Sequence, residues 1–275
     1  MSRIEEAMEK AAKMRENQYE AAAGTPKPSS PPVHIPPAAP KEQLKVANQL
    51  LVAANDPLTP VAEEYRKLKS ILVRLTKGET FRNMLMVTSS INNEGKSITA
   101  LNLALALAQE YDYTVLLVDA DLRKPSLHSY LGIEQQKGLS ECLLDGLDVK
   151  DALVNTGIGR LSLLPAGRQV SNPTEIFSSQ KSKDFFLEIK DRYHDRYVII
   201  DSPPVLPFAE TRSLNCVVDG VVVVVKEGAV PLKHVSETLE CLKGGEILGL
   251  VFNEASVENH SGHNNYYRSG YAEDV

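Results

Sequence analysis

Two rhythms of apolar residues divide the chain. Continuous apolar runs at 84–87, 114–118, 197–200, 218–225 and 247–252 have the length and β-branched content of strands buried on both faces. Between them, composition and spacing predict helices over 58–76, 99–110, 139–146, 174–192 and 231–243. Strand alternating with helix in this way predicts an α/β fold, a doubly wound, mostly parallel sheet flanked by helices. The helix over 58–76 has the strongest signal. Thr59 is placed to cap it, Pro60 suits its first turn, and Val61, Tyr65, Leu68, Leu72 and Leu75 make one apolar stripe. Glu63, Arg66 and Lys69 fall off that stripe at three-residue steps. They read either as a solvated face with ion pairs worth about 0.2–0.5 kcal/mol each, or as a subunit contact.

Outside the alternating region the pattern changes. Residues 2–20 carry a weak apolar face of Ile4, Met8, Ala11, Ala12 and Met14 and predict a helix that is marginal alone. A proline-dense stretch follows and predicts an extended linker. The last residues are polar, rich in Gly, Ser and Asn, and aromatic only in tyrosine, which predicts a flexible tail. The expected organisation is thus a helical segment at 1–24, a linker at 25–44, a folded domain at 45–256 and a tail at 257–275 bearing Tyr266, Tyr267 and Tyr271. His260 and His263 in that tail read as solvated rather than metal-binding.

Composition narrows the function classes. At 43% hydrophobic residues the chain can bury a sizeable core, and a net charge of −6 without a basic block argues against nucleic acid as a partner. Cys142, Cys216 and Cys241 lack metal spacing and read as reduced thiols. The N-terminus has no signal-peptide core, and the most apolar run, 217–225, is interrupted by Asp219 and Gly220. The expectation is a cytoplasmic protein that reaches a membrane through a partner.

The chemistry gathers at strand ends. The first strand runs into S-S-I-N-N-E-G-K-S and then a helix, the layout of a phosphate-binding P-loop, with Ser90 where the usual pattern has glycine. The expected nucleotide contacts are Ile91, Asn92, Asn93, Glu94, Gly95, Lys96, Ser97 and Ile98. Their N–H groups and the helix N-terminus suit phosphate. Lys96 would reach the β- and γ-phosphates and the Ser97 hydroxyl would hold Mg²⁺. The second strand ends at Asp119-Ala120-Asp121, two carboxylates pointing the same way into the crevice beyond the strands. Asp119 could take a proton or orient a nucleophile, and Asp121 could serve Mg²⁺. The third strand ends at Asp201, a Walker B pattern that serves Mg²⁺. The fourth leads to Lys226, and the fifth to Asn253, a plausible contact for the base.

From about residue 45 onward the chain resembles the bacterial tyrosine autokinases of polysaccharide export, the cytoplasmic partners of chain-length-determinant proteins. The P-loop lacks its first glycine as that family's does, and Asn93 stands where many members have glycine. V-L-L-V-D-A-D-L-R-K-P-S-L-H-S-Y-L-G, V-I-I-D-S-P-P-V-L, and L-P-A-G followed by N-P-T-E are similar to its other motifs. Glu63, Arg66 and Lys69 match its oligomerisation motif with Lys69 replacing the last arginine, and the tyrosine tail matches its autophosphorylation cluster. The N-terminus resembles the subgroup encoded with exosortase-type exopolysaccharide systems. The resemblance implies a P-loop NTPase fold like that of the partition and cell-division ATPases. It implies ATP and Mg²⁺ as cofactors, Lys96, Asp119, Asp121 and Asp201 as catalytic residues, and Asp119 as acceptor of the tyrosine proton. Ser97, Asp121 and Asp201 would serve the metal. Tyr266, Tyr267 and Tyr271 would be phosphorylated in a neighbouring copy's site within a ring. Implied partners are a membrane chain-length-determinant activator and a tyrosine phosphatase. Two other functions remain open: a partition-type ATPase, which Ile91 disfavours because that class carries a signature lysine there, and a nucleotide-gated scaffold.

Overall fold

The computed structural model describes residues 48–256 except 79, 111 and 193–195. The predicted N-terminal helix, the linker, Tyr266, Tyr267, Tyr271, His260 and His263 lie outside the described residues. The chain divides into units 1–39 and 40–275, and only the second contains described residues.

In chain order the helices are α1 (Val52–Asn55), α2 (Pro60–Thr76), α3 (Lys96–Ala108), α4 (Leu127–Tyr130), α5 (Leu139–Asp145), α6 (Val149–Ala152), α7 (Pro173–Ser178), α8 (Gln180–Arg192), α9 (Glu210–Asn215) and α10 (Leu232–Cys241). The strands are β1 (Met84–Ser89), β2 (Thr114–Asp119), β3 (Val154–Asn155), β4 (Leu161–Leu164), β5 (Arg196–Asp201), β6 (Gly220–Lys226) and β7 (Ile247–Asn253). They form one seven-stranded sheet in the order β3-β4-β2-β5-β1-β6-β7. Every pairing is parallel except that of β3 with β4.

Each predicted strand is present, and burial accounts for the central ones; β7, expected to be buried on both faces, is instead an edge strand with Leu250 and Phe252 exposed. All six residues of β1 are buried, and β2, β5 and β6 are buried except at one end. Side chains alternate between two cores, one on each sheet face. Met84 and Met86 point into one core, Leu85 and Val87 into the other. Of the thirteen residues of α3, twelve are buried. It has no polar face because α1 and α2 cover the side turned away from the sheet. Asn102 within it is satisfied by that cover, accepting from Ala53 N at 3.0 Å and donating to Leu50 O at 2.9 Å.

Four local features depart from the pattern. The stripe on α2 is rotated: Ala62, Leu72 and Thr76 are buried, whereas Val61 and Leu75 are exposed. Thr76 is drawn inward by a 2.7 Å hydrogen bond to the Tyr197 hydroxyl. The Thr59 cap forms as predicted, accepting from Ala62 N. The helix expected over 174–192 is two helices, because Ser179 is extended and caps the second through its hydroxyl at Ser182 N. β6 begins at Gly220 because Asp219 turns back to accept from Met84 N at 3.0 Å. Finally, β3 and β4 are additional: L-S-L-L is only four residues long, below the signal of a strand run. Among the described residues no helix is long and apolar enough to cross a membrane.

Candidate nucleotide and phosphoryl-transfer site

Parallel strands deliver their C-terminal ends to one edge of the sheet, and the loop chemistry collects there. β1 ends at Ser89, the loop runs from Ser90 to Gly95, and α3 starts at Lys96. Two loop residues need positive φ, Asn93 at 67° and Gly95 at 89°. Asparagine tolerates that region better than other residues with a Cβ, which accounts for Asn93 where glycine is common. Ser90 is fully buried, and its hydroxyl accepts from Thr238 Oγ1 of α10 at 2.8 Å. The serine in the glycine position is therefore held by a helix 148 residues away in sequence. Backbone N–H groups of Val205 and Leu206 bind the carbonyls of Ser89 and Ser90. The loop is thus fastened on its far side to the segment that follows β5.

Lys96 lies against two of the strand-end carboxylates. Lys96 Nζ lies 3.0 Å from Asp121 Oδ2, 3.5 Å from Asp201 Oδ1 and 3.2 Å from Ser97 Oγ. Asp119 and Asp201 are register partners across β2 and β5. Burial opposes the charge on Lys96, but the neighbouring Asp201 and Asp121 outweigh it and raise its pKa. Burial, then the charge of Asp201, pushes Asp119 up to about 7, against the pull of the Leu127 and Ser126 amides and Lys96. Burial also raises Asp201, with Lys96 pulling the other way. Neither oxygen of Asp201 makes a hydrogen bond of ordinary geometry, although the residue is fully buried. Three carboxylates and one ammonium in a buried corner therefore leave an uncompensated negative excess.

That excess suits a hard divalent cation. Mg²⁺ is bound through one or two carboxylates plus phosphate oxygens and water rather than by a protein cage. Ser97 Oγ, Asp121 and Asp201 are the oxygen donors that fit it. Among the described residues no group of three or more His, Cys, Asp or Glu could hold a metal on its own.

Other predicted residues have partners that the sequence did not reveal. Asp119 accepts from three backbone N–H groups: Asp121 N at 3.2 Å on one oxygen, Ser126 N and Leu127 N at 3.1 Å on the other. It holds the turn after β2 as well as facing its neighbours. Ile91 was expected among the phosphate donors, but its N–H is given to Glu94 Oε2 at 2.7 Å. Glu94 itself is fully buried, its carboxylate turned into the loop. Asn92 and Asn93 are exposed, and Ile98 packs against the core. Asn253 donates from Nδ2 to Glu94 O at 2.9 Å. On α2, Arg66 Nε donates to Glu63 at 2.7 Å, and Lys69 pairs with Glu110, so all three motif residues have partners within the chain.

One element of the site joins residues that the sequence motifs contain but do not connect. Glu210 is fully buried and receives Arg123 Nε at 2.6 Å and Thr174 Oγ1 at 2.8 Å, while Arg123 stacks over the Phe208 ring at 4.8 Å. This network ties the loop after Asp121 to the loop after Asp201. The two residues that could have drawn attention were Arg123, two positions past Asp121, and Thr174 in N-P-T-E. Arg123→Ala leaves a buried carboxylate without its counter-charge, held by the Thr174 hydroxyl and a backbone N–H. The arginine side chain is 35% exposed, so the expected loss is about 2 kcal/mol, read from the midpoint of urea unfolding.

Sheet order, loop and strand-end carboxylates together define a P-loop nucleotide-binding domain of the doubly wound class. A family model described as "AAA domain" matches residues 87–244. The chain is 32% identical over 218 residues to tyrosine-protein kinase YwqD of Bacillus subtilis, covering 78% of this chain and 90% of that one. It is 30% identical over 188 residues to tyrosine-protein kinase CpsD of Streptococcus agalactiae, covering 66% of this chain and 81% of that one. Among solved structures, the kinase domain of Escherichia coli tyrosine kinase ETK superposes with a TM-score of 0.68 at 28% identity, covering 75% of this chain and 82% of that one. The chain belongs to the bacterial tyrosine-protein kinases.

Proposed function

We propose that this chain transfers the γ-phosphoryl group of ATP to Tyr266, Tyr267 and Tyr271 of a neighbouring copy, and that the modification regulates exopolysaccharide polymerisation and export. The observation that carries the reading is the buried contact of Lys96 with Asp121 and Asp201 behind a P-loop, in a chain of this family.

Phosphoryl transfer needs positioning and charge stabilisation more than covalent help. The amides at the start of α3 and the Lys96 ammonium would bind the terminal phosphates and stabilise charge on the equatorial oxygens. Mg²⁺, when bound, neutralises phosphate charge; Ser97, Asp121 and Asp201 are the residues that would hold it. Asp119 is the residue we assign to accept the tyrosine hydroxyl proton. Each carboxylate oxygen has two lone pairs, and Asp119 Oδ1 spends only one on Asp121 N. Asp119 is fully buried, which keeps bulk water from competing for that lone pair.

Glu63, Arg66 and Lys69 would form the seam of a ring of copies, and a chain-length-determinant protein would bring the kinase to the inner face of the membrane and activate it, with a tyrosine phosphatase resetting the tail. The in-chain pairs at Glu63–Arg66 and Lys69–Glu110 would have to be shared or exchanged at that seam. Changing Tyr266, Tyr267 and Tyr271 together to Phe is expected to remove at least nine-tenths of the label incorporated from γ-labelled ATP, while nucleotide binding is unchanged. Retained label would place the acceptor elsewhere, at Tyr111, Tyr113 or Tyr130 among other tyrosines, and would refute the tail assignment.

A further inference from the structure

Residue 94 is gripped from outside the loop as well as from within it. The Asn253 carboxamide, at the end of edge strand β7, donates to the Glu94 carbonyl at 2.9 Å. The Glu94 carboxylate accepts from Ile91 N and, at 3.4 Å, from Lys226 N at the end of β6. A Cβ on Gly95 would stand 2.1 Å from Asn253 Nδ2. The carboxamide therefore fills the space beside the glycine that opens α3, whose φ of 89° already excludes most side chains. Asn253 is placed in turn, since its carbonyl accepts from Glu227 N at 3.0 Å and β7 pairs with β6 through to Lys226↔Asn253.

We propose that Asn253 is a positioning residue for the phosphate cradle: it sets the backbone at Glu94 and Gly95, so that the edge strand of the sheet fixes the shape of the loop that binds the triphosphate. The role differs from a contact with the nucleobase, because an amide that holds the loop acts on every ligand carrying phosphates, whatever base is attached. It rests on the P-loop being the nucleotide site. Glu94 takes part as the residue through which both strand ends reach the loop. The buried carboxylate keeps Ile91 N–H engaged, and the carbonyl keeps Asn253 engaged, so residue 94 is held at both its side chain and its backbone.

The test compares ligands with and without a base. Binding of Mg·ATP, Mg·GTP and Mg·tripolyphosphate is measured by titration calorimetry on the wild-type chain, Asn253→Ala and Asn253→Asp. Loss of one positioned hydrogen bond is expected to weaken all three ligands by a common factor of about three to tenfold. Asn253→Asp, which keeps the shape and removes the donor, is expected to weaken them at least as much. In turnover the KM for ATP is expected to rise by that same factor with kcat within about twofold, a split that simple loss of folded protein would not give. Weakening of ATP alone, with tripolyphosphate unchanged in either variant, would make Asn253 a base contact and overturn the proposal. A wild-type chain that binds none of the three would overturn the P-loop assignment and this inference with it. The aspartate variant keeps the test decisive if the alanine variant folds poorly.

Discussion

Lys96→Met is expected to lower tyrosine phosphorylation by about a thousandfold or more. Among the described residues Lys96 is the cation paired with both Asp121 and Asp201, at 3.0 and 3.5 Å, and it is nine-tenths buried. Removing a charge that stabilises a transferring phosphoryl group costs about 10²–10³ in rate for a single donor and more for a full charge. The same change has a second consequence. It leaves three carboxylates without a counter-charge, and breaking a buried pair from one side costs about 3–5 kcal/mol unless the remaining groups take up protons. The variant should therefore melt lower than wild type, with a larger deficit at pH 8 than at pH 5.5, where the carboxylates can be neutral. Calorimetric melting at the two pH values reads this directly. An unchanged melting temperature at pH 8 would mean that Lys96 does not neutralise the corner.

Asp201→Asn is expected to abolish turnover and to stabilise the free protein. Asp201 is fully buried, Lys96 reaches it only at 3.5 Å, and Asp119 and Asp121 add like charge. An acid whose folded pKa is raised gives its full stability contribution when protonated and loses it as pH rises through the folded value. For Asp119 that contribution is complete below the ordinary 3.8 and is lost as pH rises through about 7. The charge of Asp201 is the second cause of that shift, after burial. Asn at 201 removes it, and with it part of the cost of ionising Asp119. In EDTA, without nucleotide, we expect a gain of about 1–2 kcal/mol at pH 8, or about 3–6 °C in melting temperature, narrowing toward pH 5.5. A lower melting temperature at pH 8 would show that Asp201 is stabilising in the free protein, and that the corner carries no stored repulsion for a cation to relieve.

The central sheet was legible because parallel strands buried on both faces are written as uninterrupted apolar runs; β7 is also an apolar run, but it lies at the sheet edge with Leu250 and Phe252 exposed. β4 escaped because four residues, L-S-L-L, carry too little signal. The face of α2 was misplaced by one residue because Thr76 goes inward for a hydrogen bond that depends on Tyr197, 121 residues away. At the site, the meeting of Lys96 with the strand-end aspartates could be read from register alone, since three parallel strands end together. The hidden part was what each group does with its remaining atoms. Asp119 is engaged by amides of its own turn, Ile91 by Glu94, Ser90 by Thr238, and Glu210 by Arg123. These partners are chosen by loop geometry, and a loop has no periodicity to betray it.

The central claim concerns where the γ-phosphate goes. Wild-type chain incubated with Mg·ATP, followed by mapping of phosphorylated residues by mass spectrometry and assay of released inorganic phosphate, tests it in one reaction. The account predicts phosphotyrosine at Tyr266, Tyr267 and Tyr271, absent when Lys96 is Met. ATP consumed with stoichiometric release of inorganic phosphate and no phosphotyrosine on the chain would contradict it.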